Sequence, residues 1–388
     1  MEQAKEHLAL FFSGLAGGGA QRRMLLLARG FAARGYRVDV VVARAEGPYR
    51  AAIPPSARLV ALASRVARLP GIRTRRGLWV LATTRALAAY LARERPDVVL
   101  STSAPANLAA LGARALSRSP ARVVVSVNLN LSAATGSRQR FWGPALRGLA
   151  RRAYRRADAV IAVSQGVAED LARVLAPPRP PIVTITNPLP IAEIEEKARA
   201  PLAHPWLEPR APPILLAVGK LKRQKDYPTL IRAFARVRAR RPARLLILGE
   251  GEERPRLERL VRDQGLAQDV ALPGFVENPW AWMARASVFV LSSAWEGFSN
   301  VLAEALACGC PVVSTDCPSG PAELLDDGAF GTLVPVGDDR ALAEALLETL
   351  EKPRDPARLR ARASAFSVDT AVDRYLDVLV GSHAAGNT

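Results

Sequence analysis

Short apolar runs alternate with longer amphipathic stretches along most of this chain of 388 residues. The runs are rich in Val, Ile and Leu, which is typical of buried parallel strands. The stretches between them have helical periodicity, as in 21–34, which Gly35 ends. The predicted strands are 7–12, 37–43, 97–101, 122–127, 159–163, 214–218, 245–248, 269–272, 288–291 and 311–315.

This alternation predicts the α/β class, with two parallel, doubly wound sheets. A chain of this length is sufficient for two domains, each with its own core. Proline clusters at 177–181, 187–190 and 201–213 predict a stiffened connection between the domains. These features predict an N-terminal domain over 1–190, a C-terminal domain over 191–366, and a final helix and tail over 367–388.

The segment after the predicted strand 288–291 concentrates residues suited to phosphate binding. Gly297 lets the backbone approach a ligand closely. Ser299 and Asn300 are both good N-cap residues for a helix over 301–308. A strand, a glycine turn and a helix N-terminus present amide N–H groups and a positive dipole end to phosphate.

Two carboxylates stand in the same segment, Glu296 on the loop and Glu304 in the predicted helix. Both can face the crevice beyond the carboxyl ends of the strands, where open α/β sheets bind ligands. Glutamates near a helix start are also favourable for the helix dipole and are usually solvated. Spacing alone therefore leaves a binding role and a surface role open.

A basic loop follows the predicted strand 214–218 and contains Gly219, Lys220 and Lys225. A diphosphate leaving group must be neutralised by a metal or by fixed cations. Since Asp226 is the one nearby carboxylate between strand and helix, the sequence does not require a metal. A basic loop in this position is also ordinary in purely structural terms.

The run from Glu296 to Pro311 resembles the E-x7-E signature of retaining glycosyltransferases of family 4, which have the two-domain GT-B fold. The first 150 residues match that family only loosely. The resemblance implies two Rossmann-like domains facing a central cleft, with the C-terminal helix crossing back toward the N-terminal domain. Further blocks similar to the family are 155–164, 217–226, 246–251, 272–275, 313–325 and 331–338.

The resemblance also implies roles for the C-terminal residues. Glu296 is the catalytic candidate beside the donor sugar, and Glu304 binds the ribose hydroxyls of the nucleotide. Lys220 and Lys225 hold the diphosphate, and Lys220 replaces an Arg of the family, which keeps the charge but loses the bidentate fork. The other donor-binding candidates, with Gly274 and Phe275 beside the base, are Gly219, Gly274, Phe275, Gly297, Phe298, Ser299, Asn300 and Val301.

In the N-terminal domain, Gly17, Gly18 and Gly19 stand where the family's loop meets both acceptor and diphosphate, although a triple glycine is also consistent with a tight turn. The family often has a histidine after a strand like 122–127, and this chain offers Asn128 or Asn130 there. Asparagine can hydrogen-bond a sugar hydroxyl but cannot shuttle a proton near neutral pH. Asn128 is therefore a candidate contact to the donor sugar, and a histidine base is not expected.

The histidines of the chain, His7, His204 and His383, do not follow that strand. Asn187 and Asn278 are interpreted as turn residues. Trp280 and Trp282 are interpreted as packing residues. The cysteines, Cys308, Cys310 and Cys317, have no histidine nearby and predict neither a zinc site nor a disulfide framework, which favours a reducing cytoplasm.

Net charge is divided unevenly between the two halves. Residues 1–190 contain 29 basic and 9 acidic side chains, a net charge of +20, whereas residues 191–388 carry −2. The excess of basic residues concentrates in 58–95 and 138–156. A coding bias explains why Arg is used more often than Lys, but it does not explain why acidic residues are scarce in this half. A basic segment with aromatic residues suits an anionic membrane surface. The apolar residues of the second segment are Phe141, Trp142, Leu146, Leu149 and Tyr154.

No apolar stretch reaches the ~18 residues of a membrane-spanning helix, and Glu2 and Glu6 argue against a signal peptide. The chain is therefore expected to be cytoplasmic and peripheral at the cytoplasmic face of the membrane.

Together, the residues and the resemblance imply a retaining glycosyltransferase without a metal cofactor. It would move a hexosyl or N-acetylhexosaminyl unit from a nucleotide diphosphate sugar, with UDP favoured, to a lipid-linked or polysaccharide acceptor in cell-envelope glycan synthesis. The alternatives are a non-catalytic or epimerase protein of the same fold and, less favoured because no reader motif is present, a basic nucleic-acid-binding protein.

Overall fold

The computed structural model describes residues 5–62, 80–132 and 143–381, with only the backbone described at 143–147 and 149. Contacts divide the chain into two units. The first unit is Met1–Pro188 together with Val368–Thr388, and the second unit is Leu189–Ser367. Each unit is built on a parallel sheet with helices between its strands, so the predicted α/β class with two doubly wound sheets is confirmed.

The first unit contains a seven-stranded sheet in the order β3-β2-β1-β4-β5-β6-β7. Its strands are β1 (His7–Phe12), β2 (Arg37–Val42), β3 (Ala57–Ala61), β4 (Val98–Thr102), β5 (Arg122–Val127), β6 (Ala159–Ala162) and β7 (Ile182–Thr184). Its helices up to β7 are α1 (Gly19–Ala33), α2 (Thr84–Glu94), α3 (Ala104–Ser117), α4 (Gly143–Tyr154) and α5 (Gln165–Leu175).

The second unit contains a six-stranded sheet in the order β10-β9-β8-β11-β12-β13. Its strands are β8 (Ile214–Val218), β9 (Arg244–Leu248), β10 (Val270–Gly274), β11 (Val288–Leu291), β12 (Val312–Thr315) and β13 (Thr332–Val334). Its helices are α6 (Ile191–Ala198), α7 (Tyr227–Arg240), α8 (Arg254–Asp263), α9 (Pro279–Met283), α10 (Asn300–Ala307), α11 (Pro321–Leu325), α12 (Asp339–Glu351) and α13 (Pro356–Ser364).

The last helix, α14 (Val368–Leu379), belongs to the first unit and packs against α1. It contributes Val372 and Tyr375 to the core of that unit. Gly30 of α1 is required at this contact, because a Cβ there would lie 2.3 Å from a methyl carbon of Val372. Close packing of the two helices therefore depends on a residue without a side chain.

Strand order reverses once in each sheet, between β1 and β4 and between β8 and β11. The loops that leave neighbouring strands diverge at such a point and open a crevice beyond the carboxyl ends of the strands. The loops after β1, β4, β8 and β11 are therefore the positions where each unit can hold a ligand.

Three strands were missed from the sequence: β3, β7 and β13. Each is an edge strand whose residues are largely half-buried, so its apolar signal is weak. Strand β7 follows directly on the proline cluster 177–181, so the interpretation of that cluster as an interdomain connection was wrong. Proline is tolerated beside an edge strand because no further strand pairs with it there.

Candidate functional site

The loops after β8 and β11 bring Lys225 and Glu296 together at the switch point of the second sheet, the place where its strand order reverses. Lys225 ends a short 3₁₀ turn (Arg223–Lys225) after β8, and Glu296 lies on the loop after β11. The Nζ of Lys225 lies 2.6 Å from Oε1 of Glu296. The carboxylate also accepts a hydrogen bond from Ser293 Oγ at 2.7 Å. Two predicted site residues, 71 positions apart, thus form one ion pair.

Polar contacts fix both loops around this pair. Ser292 Oγ donates to the carbonyl oxygen of Lys225 at 2.7 Å. Gln224 Nε2 donates to the carbonyl oxygen of Trp295 at 2.9 Å, and Thr315 Oγ1 donates to the carbonyl oxygen of Ser293 at 2.6 Å. The three donors, Ser292, Gln224 and Thr315, are not predicted as site residues, since a Ser, Gln or Thr in a loop carries no distinctive pattern.

The pair is mostly shielded from water. Glu296 is 8% exposed, and the side chain of Lys225 is 16% exposed. Coulomb attraction between a carboxylate and an ammonium group is stronger in such surroundings than in bulk water. The site therefore presents a preorganised charge pair beyond the carboxyl ends of the two central strands β8 and β11.

Gly219 makes room for the lysine. A Cβ at position 219 would lie 3.1 Å from Lys225 Cε and 3.0 Å from the Tyr227 hydroxyl, and the backbone φ is +158°. That hydroxyl is buried without a hydrogen-bond partner among the described residues. Burial, and then the negative charge of Glu296, raise the pKa of Tyr227, so its phenol stays neutral and keeps its proton.

Lys220 differs from Lys225 in its surroundings. Lys220 is exposed at the start of the same loop, as are Lys222 and Arg223. The predicted pairing of Lys220 and Lys225 on one diphosphate stays a prediction. What the structure adds is that one cation is held by a carboxylate while the other faces solvent.

Glu304 lies on α10 and is 8% exposed. Its Oε2 accepts a hydrogen bond from the indole N–H of Trp280, with an Nε1–Oε2 distance of 3.1 Å. Trp280 lies on α9 and is 4% exposed. The interpretation of Trp280 as a packing residue therefore described its burial but missed its polar contact.

The turn into α10 departs from the predicted N-cap in its hydrogen bonding. Ser299 adopts a left-handed conformation with φ 62° and makes no side-chain cap hydrogen bond. Its Oγ is buried without a partner among the described residues, and Asn300 is the first residue of the helix. Ser299 thus stands at the N-cap position, as expected, but its left-handed backbone conformation comes without the side-chain hydrogen bond of a capping serine.

The same turn is buried against the segment before α11. A Cβ on Gly320 would lie 2.9 Å from Phe298 Cα and 3.1 Å from the carbonyl oxygen of Gly297. Phe298 is 3% exposed and its ring packs edge-on against Phe366. The backbone around Gly297 and Val301 is therefore held in place by tertiary packing, and the predicted role of its amides stays a prediction.

Gly274 is the last residue of β10, an edge strand of the second sheet, and Phe275 follows it. Gly274 has a φ of +96°, and Phe275 exposes 79% of its surface. An exposed aromatic ring on a carboxyl-end loop is compatible with stacking on a base. That role likewise stays a prediction.

In the first unit, the glycine loop leads directly into α1. Gly17 and Gly18 have φ values of +98° and +135°, in the region that favours glycine. Gly18 is the N-cap of α1, and Gly19 is its first residue. The helix thus begins two residues earlier than predicted, and the loop proper contains two of the three glycines.

Arg23 on α1 lies at the carboxyl ends of the first unit's strands, and it was not singled out from the sequence. Arg23 is 2% exposed. Its buried guanidinium donates to Thr102 Oγ1 at 2.6 Å, Ser126 Oγ at 3.0 Å and Asn187 Oδ1 at 2.9 Å. Asn128 Nδ2 donates to the same Thr102 hydroxyl at 3.0 Å. Asn128 is therefore tied to a buried arginine network, and Asn187 is more than a turn residue.

The described histidines lie in other surroundings. His7 is at the amino end of β1, with its Nε2 3.0 Å from Asp39 Oδ2. His204 Nδ1 accepts a hydrogen bond from the backbone N–H of Trp206 at 3.1 Å. His383 lies outside the described residues.

The cysteines are free and buried. Burial, and then the negative charge of Glu296, raise the pKa of the Cys317 thiol to about 12, so this thiol beside the site is neutral. In the part of the chain that the structure describes, no group of three or more His, Cys, Asp or Glu side chains could hold a metal ion. That no metal is needed stays a prediction.

The basic segments fall partly outside the described residues, which exclude 63–79 and 133–142. Phe141 and Trp142 lie there, and the side chains of Leu146 and Leu149 are not described. Tyr154 is fully buried, and its hydroxyl receives a hydrogen bond from Asn107 Nδ2 at 3.1 Å. Placing Tyr154 on a membrane-facing surface was therefore wrong. Among the described helices, none is long and apolar enough to cross a membrane.

Two protein-family models match the chain in succession. The model described as "Glycosyltransferase Family 4" matches residues 17–193, and the one described as "Glycosyl transferases group 1" matches residues 212–352. The chain belongs to glycosyltransferase family 4, and its two parallel-sheet units are those of the GT-B fold.

Curated relatives include the N-acetylgalactosamine-N,N'-diacetylbacillosaminyl-diphospho-undecaprenol 4-alpha-N-acetylgalactosaminyltransferase of Campylobacter jejuni. It is 36% identical over 216 residues, which cover 54% of this chain and 57% of that protein. The lipopolysaccharide core biosynthesis glycosyltransferase LpsE of Rhizobium meliloti is 34% identical over 44% of this chain and 51% of its own. The chain spans about half the length of these relatives.

Solved structures support the fold. Sucrose-phosphate synthase from Thermosynechococcus elongatus is similar with a TM-score of 0.79 and 22% identity, covering 98% of this chain and 100% of that one. Anabaena HepE in complex with UDP and glucose has a TM-score of 0.76 and 20% identity, covering 96% and 99%. At these identities the likeness concerns the fold alone.

Proposed function

We propose that this protein is a retaining glycosyltransferase that uses a nucleotide diphosphate sugar, with UDP as the favoured nucleotide. Its acceptor is a lipid-linked or polysaccharide glycan of the cell envelope, and the transferred unit is a hexosyl or N-acetylhexosaminyl group. The observation that carries the proposal is the buried Lys225–Glu296 pair at the switch point of the second sheet. The family membership and the names of the curated relatives support the reaction class.

Each charged residue of the second unit has a role in this proposal. Lys225, with Lys220, neutralises the diphosphate as the bond to the sugar breaks. Glu304 accepts hydrogen bonds from the ribose hydroxyls. Glu296 hydrogen-bonds the donor sugar and stabilises positive charge that develops at its anomeric carbon.

The reaction retains configuration by attack from the side of the leaving group. The bond between the anomeric carbon and the diphosphate oxygen breaks while the acceptor oxygen forms a bond to the same carbon. The acceptor's proton passes to the departing diphosphate oxygen, so no histidine base is needed. In the first unit, the proposed contacts to the acceptor and the diphosphate are Gly17, Gly18 and Gly19, and the proposed contact to the donor sugar is Asn128.

Nucleotide binding tests the proposal directly. Thermal unfolding is followed with UDP, GDP, ADP and TDP, each with and without Mg²⁺, on wild type and on Lys225→Ala. A ligand at about 100 times its Kd stabilises the folded state by ~2.7 kcal/mol. We expect UDP to raise the Tm of the wild type by a few degrees, and the shift to be lost in Lys225→Ala.

Lys222→Ala is the matched control, because Lys222 is an exposed lysine in the same loop. It should keep the UDP shift. A UDP shift that survives in Lys225→Ala would refute the diphosphate assignment, and no shift with any nucleotide would refute the proposed function.

We also propose that the Arg-rich first unit associates peripherally with an anionic membrane surface. Its net charge supports this, since each basic residue near such a surface contributes about 1 kcal/mol. Liposomes containing anionic lipid should sediment the protein at low salt and release it at high salt. Equal sedimentation with neutral liposomes would count against the proposal.

A further inference from the structure

The indole N–H of Trp280 is directed at a carboxylate rather than at a neutral acceptor. Its partner, Glu304, lies 24 residues further along the chain, and the two side chains are 4% and 8% exposed. A buried indole N–H requires an acceptor, and a hydrogen bond to an ionised group is stronger than one between neutral groups. This contact therefore restricts the direction of the Glu304 carboxylate.

Trp280 is itself held from several sides. The Nζ of Lys197, on α6, lies 5.4 Å from the centre of the indole ring. Asn278 Nδ2 donates to the carbonyl oxygen of Lys197 at 2.8 Å, and Cys308 Sγ donates to the carbonyl oxygen of Trp280 at 3.7 Å. Helix α9 is thus tied to α6 and to the end of α10. A donor on such a fixed element can hold a carboxylate in one rotamer.

We propose that Trp280 is a positioning residue, which holds Glu304 in the orientation that accepts both ribose hydroxyls of a nucleoside diphosphate. The inference rests on the proposed role of Glu304 and adds a residue to it. An ionised carboxylate has about four lone-pair sites, so an N–H donor at one oxygen is compatible with a vicinal diol binding at the same group.

The chain offers a matched control two residues away. Trp282 is also buried on α9, at 7% exposure, but its ring packs edge-on against His204 with centroids 5.0 Å apart. Trp280→Phe and Trp282→Phe therefore make the same chemical change on the same helix. The first removes the donor to Glu304, and the second leaves it in place.

The experiment measures the dissociation constants of UDP and 2′,3′-dideoxy-UDP by calorimetry for wild type and both variants. The wild type should prefer UDP by tenfold or more. Trp280→Phe should weaken UDP on the order of tenfold, leave dideoxy-UDP nearly unchanged and so lose the preference. Trp282→Phe should retain it. In a Glu304→Gln background, Trp280→Phe should have little further effect, because residues acting through one another are not additive.

The outcomes separate the inference from the proposed function. A Trp280→Phe variant that keeps the wild-type preference overturns the inference and leaves the role of Glu304 intact. A wild type that binds both nucleotides equally overturns the ribose role of Glu304 and the inference with it, and a wild type that does not bind UDP overturns the proposed function. If Trp280→Phe does not fold, 3-benzothienylalanine at position 280 replaces the ring N–H by sulfur at similar volume and gives the same test.

Discussion

Two buried carboxylates, Asp39 in the first unit and Glu296 in the second, are each paired with a basic side chain but differ in their position relative to the strands. Asp39 lies within β2, next to Arg58 of β3 in the register of the sheet. Arg58 Nε donates to its Oδ1 at 2.9 Å, and the Tyr90 hydroxyl donates to its Oδ2 at 2.6 Å. Asp39 is 1% exposed, and its partners come from strands and a helix.

Glu296, in contrast, lies on a loop beyond the carboxyl end of β11, and its cation comes from the loop after β8. A charge held within the strands has no route to a ligand, whereas one held by two diverging loops at a switch point does. The comparison teaches that burial and ion pairing alone do not identify a functional acid. Position along the strand separates a structural charge cluster from a candidate active site.

The largest effect is expected from a substitution of Glu296. Glu296→Gln should lower kcat by roughly 10³-fold, the size of effect seen when charge stabilisation at a reacting centre is removed. The Tm should fall by no more than a few degrees, because the Gln amide oxygen can still accept hydrogen bonds from Lys225 and Ser293. The measurement is sugar transfer or donor hydrolysis with UDP-sugars, with thermal unfolding in parallel. Full activity in this variant would place Glu296 with Asp39 as a structural residue.

The reciprocal substitution is expected to act on stability instead. Asp39→Asn should lower the free energy of unfolding by about 2 kcal/mol, since the hydrogen bonds that Arg58 and Tyr90 donate to the buried carboxylate are then weakened or lost. The Kd for UDP should stay within a factor of two. Urea unfolding and calorimetry measure the two effects. Loss of UDP affinity without loss of stability would contradict the structural role of Asp39.

A smaller effect is expected in the pH dependence of stability, which tests whether Asp39 acts as a structural carboxylate. Burial raises the pKa of Asp39, but hydrogen bonds from His7, Arg58 and Tyr90 outweigh it and hold the pKa well below its usual range. A depressed carboxyl pKa contributes stability that is present above the unfolded value of about 4 and is lost as the pH falls toward the folded value.

The stability difference between wild type and Asp39→Asn should therefore shrink as the pH falls below about 5. Urea unfolding at a series of pH values measures it. A difference that grows on acidification would show that Asp39 is not stabilised as a carboxylate.

Local patterns of apolar and polar residues were sufficient to predict much of the fold. The strands 7–12, 122–127, 214–218 and 288–291 coincide with β1, β5, β8 and β11, because central parallel strands are continuous apolar runs. Edge strands such as β3 and β13 face solvent in part, so their runs are diluted and were missed. The start of α10 was predicted only in part, because Ser299 adopts a backbone conformation that tertiary packing imposes.

The sequence by itself determined the α/β class, the loops that follow the central strands and the residue types those loops offer. Only the tertiary structure decided which of these residues meet. Lys225 pairs with Glu296 because β8 and β11 are neighbours in the sheet, and Trp280 rather than Trp282 donates to Glu304 because of how α9 packs. Apolar periodicity is a local property of the chain, whereas the pairing of side chains depends on strand order and helix packing, which bring distant residues together.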